Sequence, residues 1–419
     1  MTSRLEELIA ELCPNGVEYK KIGDIATLVT GGTPKTSYAE YWEGGNIPWM
    51  ASGEVNLGIV SKTEKKITEA GYDSSNTKML PTNTVVIALA GQGKTRGKVA
   101  LTKIPLCTNQ SLCGICVDCT VNSKFLYHFL SSKYIELRAI SSGDGTRGGL
   151  NLRIISNFEI PVPPIEVQSE IVRILDTFTE LTAELTAELT ARKKQYEYYR
   201  DTLLTFDDNN PLHSLISHYC PNGVEYYKTS DLVRMSFWLM PATPRFIEDG
   251  IPYITSKNVK NGVINFESAK YIDCEDFAEI SKNRPICEGD MLITMIGTIG
   301  EVAIVKGNTK FYGQNLYLLR FDKTKIITKY YYYFITSEKI RNSIISRKNP
   351  SSQGYIKAGN IENLQIPVPP LEVQRQIVQI LDRFDALCND LTQGLPAEIE
   401  ARRKQYEYYR DQFLTFKRA

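Results

Sequence analysis

Apolar residues recur every three or four positions along two long stretches of the chain. In the first, Ile171, Ile174, Phe178, Leu181, Leu185, Leu189, Tyr196, Tyr199, Leu203 and Phe206 form one stripe, the pattern of a helix packed along a seam. In the second, Ile377, Ile380, Phe384, Leu387 and Leu391 precede Tyr406, Tyr409 and Phe413, with Gly394 and Pro396 between them. Proline is tolerated at a helix start but not inside it. Pro163 and Pro164 therefore mark the start of the first helix, and Pro396 predicts a break or kink in the second. About 40 helical residues make a rod of roughly 60 Å, too long to bury its stripe alone. The expected arrangement is two long helices in an antiparallel coiled coil related by a pseudo-two-fold axis.

The segments before these helices read differently. Short β-rich runs at 84–89, 291–295 and 302–305 alternate with Gly, Pro and Asn turns, and each segment ends in an aromatic helical stretch, KFLYHFL from Lys124 and KYYYYFI from Lys329. This predicts two α/β domains with irregular, largely antiparallel sheets.

The two halves are copies. CPNGVEY occurs at 13–19 and 220–226, IPVPP followed by an apolar residue and EVQ at 160–168 and 366–374, and QYEYYRD at 195–201 and 405–411, at offsets of 207, 206 and 210 residues. Near-identical flanks around different bodies imply one framework presenting two surfaces. The expected division is a helical leader at 1–19, a first body at 20–158, a central helical spacer at 159–208, a second leader at 209–226, a second body at 227–364 and a C-terminal helical region at 365–419. Within the first helix TAEL repeats at 182–185 and 186–189. Its period is close to one helical turn, so copies can be added with little rotation of the stripe.

Charge sharpens the picture. The chain carries a formal net charge of +1, but residues 20–158 hold 16 Lys and Arg against 10 Asp and Glu, and residues 227–364 hold 19 against 14. Residues 165–208 hold 5 against 10. Two basic bodies joined by an acidic rod suit a polyanion at the bodies. Three histidines, His128, His213 and His218, leave little for acid-base chemistry. MTSRLEELIAEL lacks a secretory apolar core and no run approaches a membrane span, so a cytoplasmic protein without a membrane partner is expected.

Two motifs suggest chemistry that their context argues against. ALAGQGKT at 88–95 satisfies a relaxed phosphate-loop pattern, but RGKVAL comes next, where a phosphate loop needs a helix. The matching slot of the second body, MIGTIGEVAI at 295–304, has no Lys-Thr. Cys107, Cys113, Cys116 and Cys119 have zinc-like spacing, yet the positions of Cys113 and Cys116 carry Tyr317 and Arg320 in the second body. On a strand those two cysteines point to opposite faces, and no metal is expected. A P-loop ATPase and a helical adaptor that does not bind DNA are the rival readings.

The arrangement closely resembles the specificity subunits of type I restriction-modification systems. The residues that carry the resemblance are the IPVPP hinges, the TAEL repeats, the RKKQYEYYRD and RRKQYEYYRD helix ends, and GGTP at 31–34 with IPW at 47–49; the second body departs there, with ATP at 242–244 and IPY at 251–253. The resemblance implies a non-catalytic subunit. Each body would read one half of a bipartite, asymmetric site in double-stranded DNA, and the helices would set the spacer and dock two methyltransferase subunits. S-adenosylmethionine, ATP and Mg would belong to partners, including restriction and translocase subunits. DNA reading needs forked donors at base edges and cations on phosphates. On this basis the expected DNA contacts are Lys35, Thr36, Lys94, Arg96, Lys98 and Arg147 in the first body, and Lys257, Asn258, Arg347, Lys348 and Gln353 in the second. The expected partner-facing residues are Tyr196, Tyr199, Arg200, Leu203, Tyr406, Tyr409, Arg410 and Phe413, with internal packing of the helix ends as the alternative.

Overall fold

A computed structural model describes residues 3–91, 95–141, 149–241, 244–349 and 354–419. The chain forms two compact units, Met1–Thr186 with Glu398–Ala419, and Ala187–Ala397. The divide between them does not follow the repeat. It cuts the TAEL segment, so the continuous helix Ile165–Leu203 begins in one unit and ends in the other. Each unit therefore contains one body and the helix end of the other repeat.

In the first unit a five-stranded sheet runs in the order Ala26–Thr30, Leu112–Val117, Val85–Ala88, Val99–Thr102, Ile59–Val60, all neighbours antiparallel except the last pair. The central run Val85–Ala88 is apolar throughout because both of its faces are covered. Val85 and Ile87 enter the core shared with the aromatic helix Ser123–Ser132, and Val86 and Ala88 enter a second core with Met50, Val55 and Leu80. A three-stranded sheet of Lys65–Ile67, Ile47–Met50 and Cys107–Thr108 adds one further parallel pair.

The second unit repeats the plan. Val233–Leu239, Leu316–Phe321, Met291–Thr294 and Val302–Ile304 form an antiparallel sheet. Phe246–Ile247, Lys270–Ile272, Ile251–Ile254 and Tyr312–Gly313 form a mixed one. The expected mixed α/β bodies with largely antiparallel sheets are thus present in both.

The repeated motifs now have physical roles. Leader and hinge pair as short antiparallel strands, Tyr19–Lys21 with Glu159–Pro161 and Tyr226–Lys228 with Gln365–Pro367. The glutamine that ends each EVQ is fully buried. Gln168 Oε1 accepts from the Asn122 N–H at 2.8 Å, and its Nε2 donates to the carbonyls of Thr120 and Pro163 at 2.9 and 2.7 Å. Gln374 repeats this with the Ile327 N–H at 2.8 Å and the carbonyls of Lys325 and Pro369 at 3.1 and 2.8 Å. Each clamp ties the hinge to the loop that starts the aromatic helix.

The apolar stripe is divided between the units. In the first, Phe178 stacks on Tyr409 with centroids 5.5 Å apart. In the second, Phe384 lies 5.2 Å from Tyr199 and 6.5 Å from Tyr196, while Cys388, one turn on, feels the charges of Lys193 and Arg192, one turn back. The segments there run in opposite directions. The second helical region is broken, as Gly394 and Pro396 predict, into Leu371–Asn389 and Leu395–Phe413. Leu391 is a correction to the stripe. It falls in the intervening turn, 79% exposed, where the Asp390 carboxylate accepts from the Thr392 N–H at 2.7 Å.

Replacing Gln168 by Leu removes the partner of the Asn122 N–H and of the Thr120 and Pro163 carbonyls, and leaving the buried Pro163 carbonyl unpaired alone costs about 1–3 kcal/mol. The substitution is expected to lower the urea midpoint clearly and to raise hydrogen exchange at the Asn122 amide; an unchanged midpoint would contradict the clamp.

Candidate nucleic-acid interface and helix ends

The segment that imitated a phosphate loop is flanked by the two strands of a hairpin. The Gly97 N–H donates to the Ala88 carbonyl at 2.9 Å and the Ala88 N–H to the Lys98 carbonyl at 3.0 Å, and the chain then enters the antiparallel strand Val99–Thr102. This geometry offers no helix N-terminus to a phosphate and disfavours the ATPase reading. Arg96 and Lys98 lie in and beside this turn, both half-buried, and Lys98 Nζ donates to Asn56 Oδ1 at 2.7 Å.

The other loops of the first body converge on the same end of the sheet. The Leu89 N–H donates to the Ser111 carbonyl at 2.8 Å, and the Leu150 N–H donates to the Leu89 carbonyl at 2.8 Å. Leu150 and Ser111 are thereby held beside Leu89, at the end of Val85–Ala88. Thr33 Oγ1 donates to Gln110 Oε1, two residues from Lys35 and three from Thr36. Both of these are exposed, with Lys35 Nζ 5.6 Å from the centre of the Tyr38 ring.

The second body repeats the convergence. The Ile356 N–H donates to the Met295 carbonyl at 3.0 Å, and the Asn349 N–H to the Tyr355 carbonyl at 3.0 Å. This brings the exposed Arg347 and Lys348 to the turn after Met291–Thr294. A Cβ at Gly297 of that turn would lie 3.1 Å from Ser256 Oγ, so the exposed Lys257 belongs to the same cluster. Lys94, Arg147 and Gln353 lie outside the described residues.

Asn258 is a correction. Its side chain is buried; Oδ1 accepts from the Thr255 N–H at 2.9 Å, and Nδ2 donates to the Asn265 carbonyl at 3.0 Å and to Ser268 Oγ at 3.2 Å. The amide holds its own turn and is not presented to a ligand. The cysteine spacing is equally structural. Cys113 and Cys116 on Leu112–Val117 enter the two cores on opposite faces of the sheet, and burial pushes the Cys113 thiol up to about 12.

The helix ends correct part of a second expectation. Tyr196, Arg200 and Leu203 are buried in the second unit, and Arg200 Nη1 donates to the Thr336 carbonyl at 3.3 Å. Burial pushes the Tyr196 phenol well above its ordinary value. In the first unit Tyr406 bonds His128 Nδ1 through its hydroxyl at 2.9 Å, Tyr409 stacks on Phe178 and Phe413, Phe413 packs on the core, and Arg410 pairs with Asp411 at 2.7 Å. Tyr196, Arg200 and Leu203 thus serve internal packing, whereas Tyr199, Tyr406, Tyr409, Arg410 and Phe413 are only half-buried. The tyrosines that face solvent are Tyr198 and Tyr408, 66% and 62% exposed, which sequence reasoning missed because all three tyrosines of the motif look alike.

Both tails dock on matching polar nodes. In the first unit Asp176 takes Lys124 and His128 as partners, and His128 holds Tyr406. Burial opposes ionisation of Asp176, but hydrogen bonds from His128 and Lys124 and the Lys124 charge outweigh it and hold its carboxyl below the ordinary carboxylate value. In the second, Asp382 takes Lys329 at 2.8 Å and the Tyr333 hydroxyl, within electrostatic reach of Tyr196.

Comparison with known proteins bears on all of this. The model of the type I restriction modification DNA specificity domain matches residues 14–192 and again 221–401. A putative type I restriction enzyme specificity subunit of Haemophilus influenzae is 35% identical over 309 residues, 71% of this chain and 73% of that one. The specificity subunit of an Escherichia coli type I restriction enzyme is 34% identical over 315 residues, 72% of each. A crystallised type I restriction-modification S subunit from M. genitalium shares the fold, with a TM-score of 0.58 at 16% identity over 96% of this chain and 97% of that one.

Burial separates the motif's residues by experiment. Leu203→Ala is expected to destabilise the second unit by about 2–5 kcal/mol, and Tyr198→Ala to stay within about 0.5 kcal/mol of wild type. Equal effects in thermal denaturation would refute the assignment of inward and outward faces.

Proposed function

The chain belongs to the type I restriction-modification DNA specificity family, and from that premise we propose that each of its two bodies reads one half of a bipartite, asymmetric site in double-stranded DNA. The single observation that carries this reading is the duplication itself. The specificity-domain match occurs twice, and in both copies segments that differ in sequence meet at one end of the sheet. A frame that stays constant while its loops differ suits two recognition surfaces of one kind with different targets.

The loop residues support the chemistry. Lys35, Arg96, Lys98, Lys257, Arg347 and Lys348 are cations on turns, able to fix register on phosphates, while neighbouring amides and hydroxyls address base edges. Methyl transfer, ATP hydrolysis and cleavage belong to partner subunits in this reading. S-adenosylmethionine, ATP and Mg are then the partners' cofactors, and two methyltransferase subunits dock on the helical regions. Among the described residues no helix is long and apolar enough to cross a membrane, in keeping with a place beside DNA in the cytoplasm.

Exchanging residues 20–158 for the corresponding body of another subunit is expected to change one half of the methylated motif, read by mapping methylated adenines in cells that carry the partners. A change in both halves would sink the assignment of one body to one half-site.

The helix Ile165–Leu203 links the bodies without interruption through the TAEL repeat. A third copy after Leu189 adds about 6 Å and turns the downstream part of the helix by roughly 40°, against about 3.4 Å per base pair and about 10 base pairs per DNA turn. One extra base pair between unchanged half-sites is the expected result. An unaltered spacer with full activity would show that this helix does not set the distance.

A further inference from the structure

Beside the hairpin turn of the first body, the short segment Ser52–Leu57 carries two side chains into solvent, Asn56 and the 61% exposed Leu57. Asn56 is held from two sides. Lys98 Nζ donates to its Oδ1 at 2.7 Å, and its Nδ2 donates to the Gly53 carbonyl at 2.9 Å. A carboxamide has two N–H donors and two acceptor lone pairs, so one donor and one acceptor remain, already oriented. The backbone behind them is equally fixed. Gly58 has φ 68°, and a Cβ there would lie 3.0 Å from the Tyr127 hydroxyl of the aromatic helix.

The second body builds the same tip from other residues. Asn261 and Gly262 have φ 51° and 79°, and a Cβ at Gly262 would lie 2.6 Å from the Tyr332 hydroxyl. Val263 is 63% exposed, and the Asn261 N–H donates to Glu301 Oε2 at 3.1 Å. Each body therefore projects a tip braced by a tyrosine behind it and by a charged side chain, Lys98 or Glu301, from the hairpin. The bracing recurs while the side chains at the point differ, as a specificity-determining element requires.

We propose that Asn56 and Leu57 read one A·T base pair in the half-site of the first body. Adenine offers N7 as acceptor and N6–H as donor in the major groove, matching the donor and acceptor left on Asn56, and thymine offers a methyl group that an apolar side chain covers. Lys98, which orients the amide, brings a cation to the same place for the adjacent phosphate. Because the amide is held before binding, little ordering entropy is lost in using it. The proposal rests on the reading of this body as a half-site reader.

The test uses the subunit in complex with its methyltransferase partners, once its methylated motif has been mapped. Asn56→Ala is expected to make one A·T position of the first half-site degenerate, its discrimination falling roughly 5- to 150-fold, while the second half-site is read as before and so reports intact folding. Asn56→Asp is expected to move the preference at that position toward cytosine, whose N4–H donates to a carboxylate. On synthetic duplexes, wild type is expected to bind thymine more tightly than deoxyuridine at that position, and Leu57→Ala to bind the two alike. Unchanged discrimination in all three variants, or an effect confined to a G·C position, would overturn the proposal. If the body exchange still switches one half-site while these variants do nothing, the assignment of Asn56 and Leu57 fails and the half-site reading survives. If the exchange fails as well, both fall.

Discussion

The structure depends on an exchange of helix ends. Each body is completed by a tail that belongs to the other repeat, and each tail is seated by a half-buried aromatic contact backed by an aspartate. Phe178 and Tyr409 meet beside the Asp176 node, and Phe384 and Tyr199 beside the Asp382 node. Lys124 and Lys329 accompany the two aspartates, so each node orients its tail through paired charges. Breaking the long helix would therefore separate a body from part of its own packing, not merely from a neighbour.

This constraint explains which residues stay the same between the halves. The clamps Gln168 and Gln374 and the lysines 124 and 329 sit where hinge, long helix and aromatic helix join, while the tyrosines 127 and 332 of the same helices back the tips at Gly58 and Gly262. The far end of each sheet bears no such duty. Its turns are closed by backbone bonds, such as those between Leu89 and Leu150 or Met295 and Ile356, which fix the path of the chain whatever side chains it carries. Variation is cheap there, and charge and amides collect there.

Much of this was legible in the sequence, and the limits have physical reasons. The duplication, the helix break at Gly394 and Pro396 and the strands on either side of the ALAGQGKT segment are matters of sequence pattern, and the structure contains each of them. The exchange of tails was not legible, because a stripe such as Phe178, Leu181 and Leu185 states that a face is buried and not what covers it. The same blindness assigned Tyr196 and Leu203 to a partner's surface when they pack inward. Asn258 misled for another reason: an amide on a turn looks alike whether it bonds its own backbone or a ligand, and only the bonds to Thr255, Asn265 and Ser268 distinguish the two. Asn56 and Leu57 were overlooked because neither carries a charge; the signal lay in the Gly58 and Gly262 positions shared by the two copies.

The exchange also sets a rule for how such a chain can vary. A body replaced as a block must accept a tail that it does not encode, since the first unit closes on QYEYYRD from the second repeat and the second unit on QYEYYRD from the first. Identity of the two tails is then a requirement for interchangeable bodies. The bodies meet it with different chemistry at one matched position, His128 facing Tyr406 and Tyr333 near Tyr196, while keeping the lysine four residues earlier in both aromatic helices. The tolerated difference is confined to a group that bonds the aspartate either way. Sequence freedom at the loops and sequence identity at the helix ends are thus two sides of one packing arrangement.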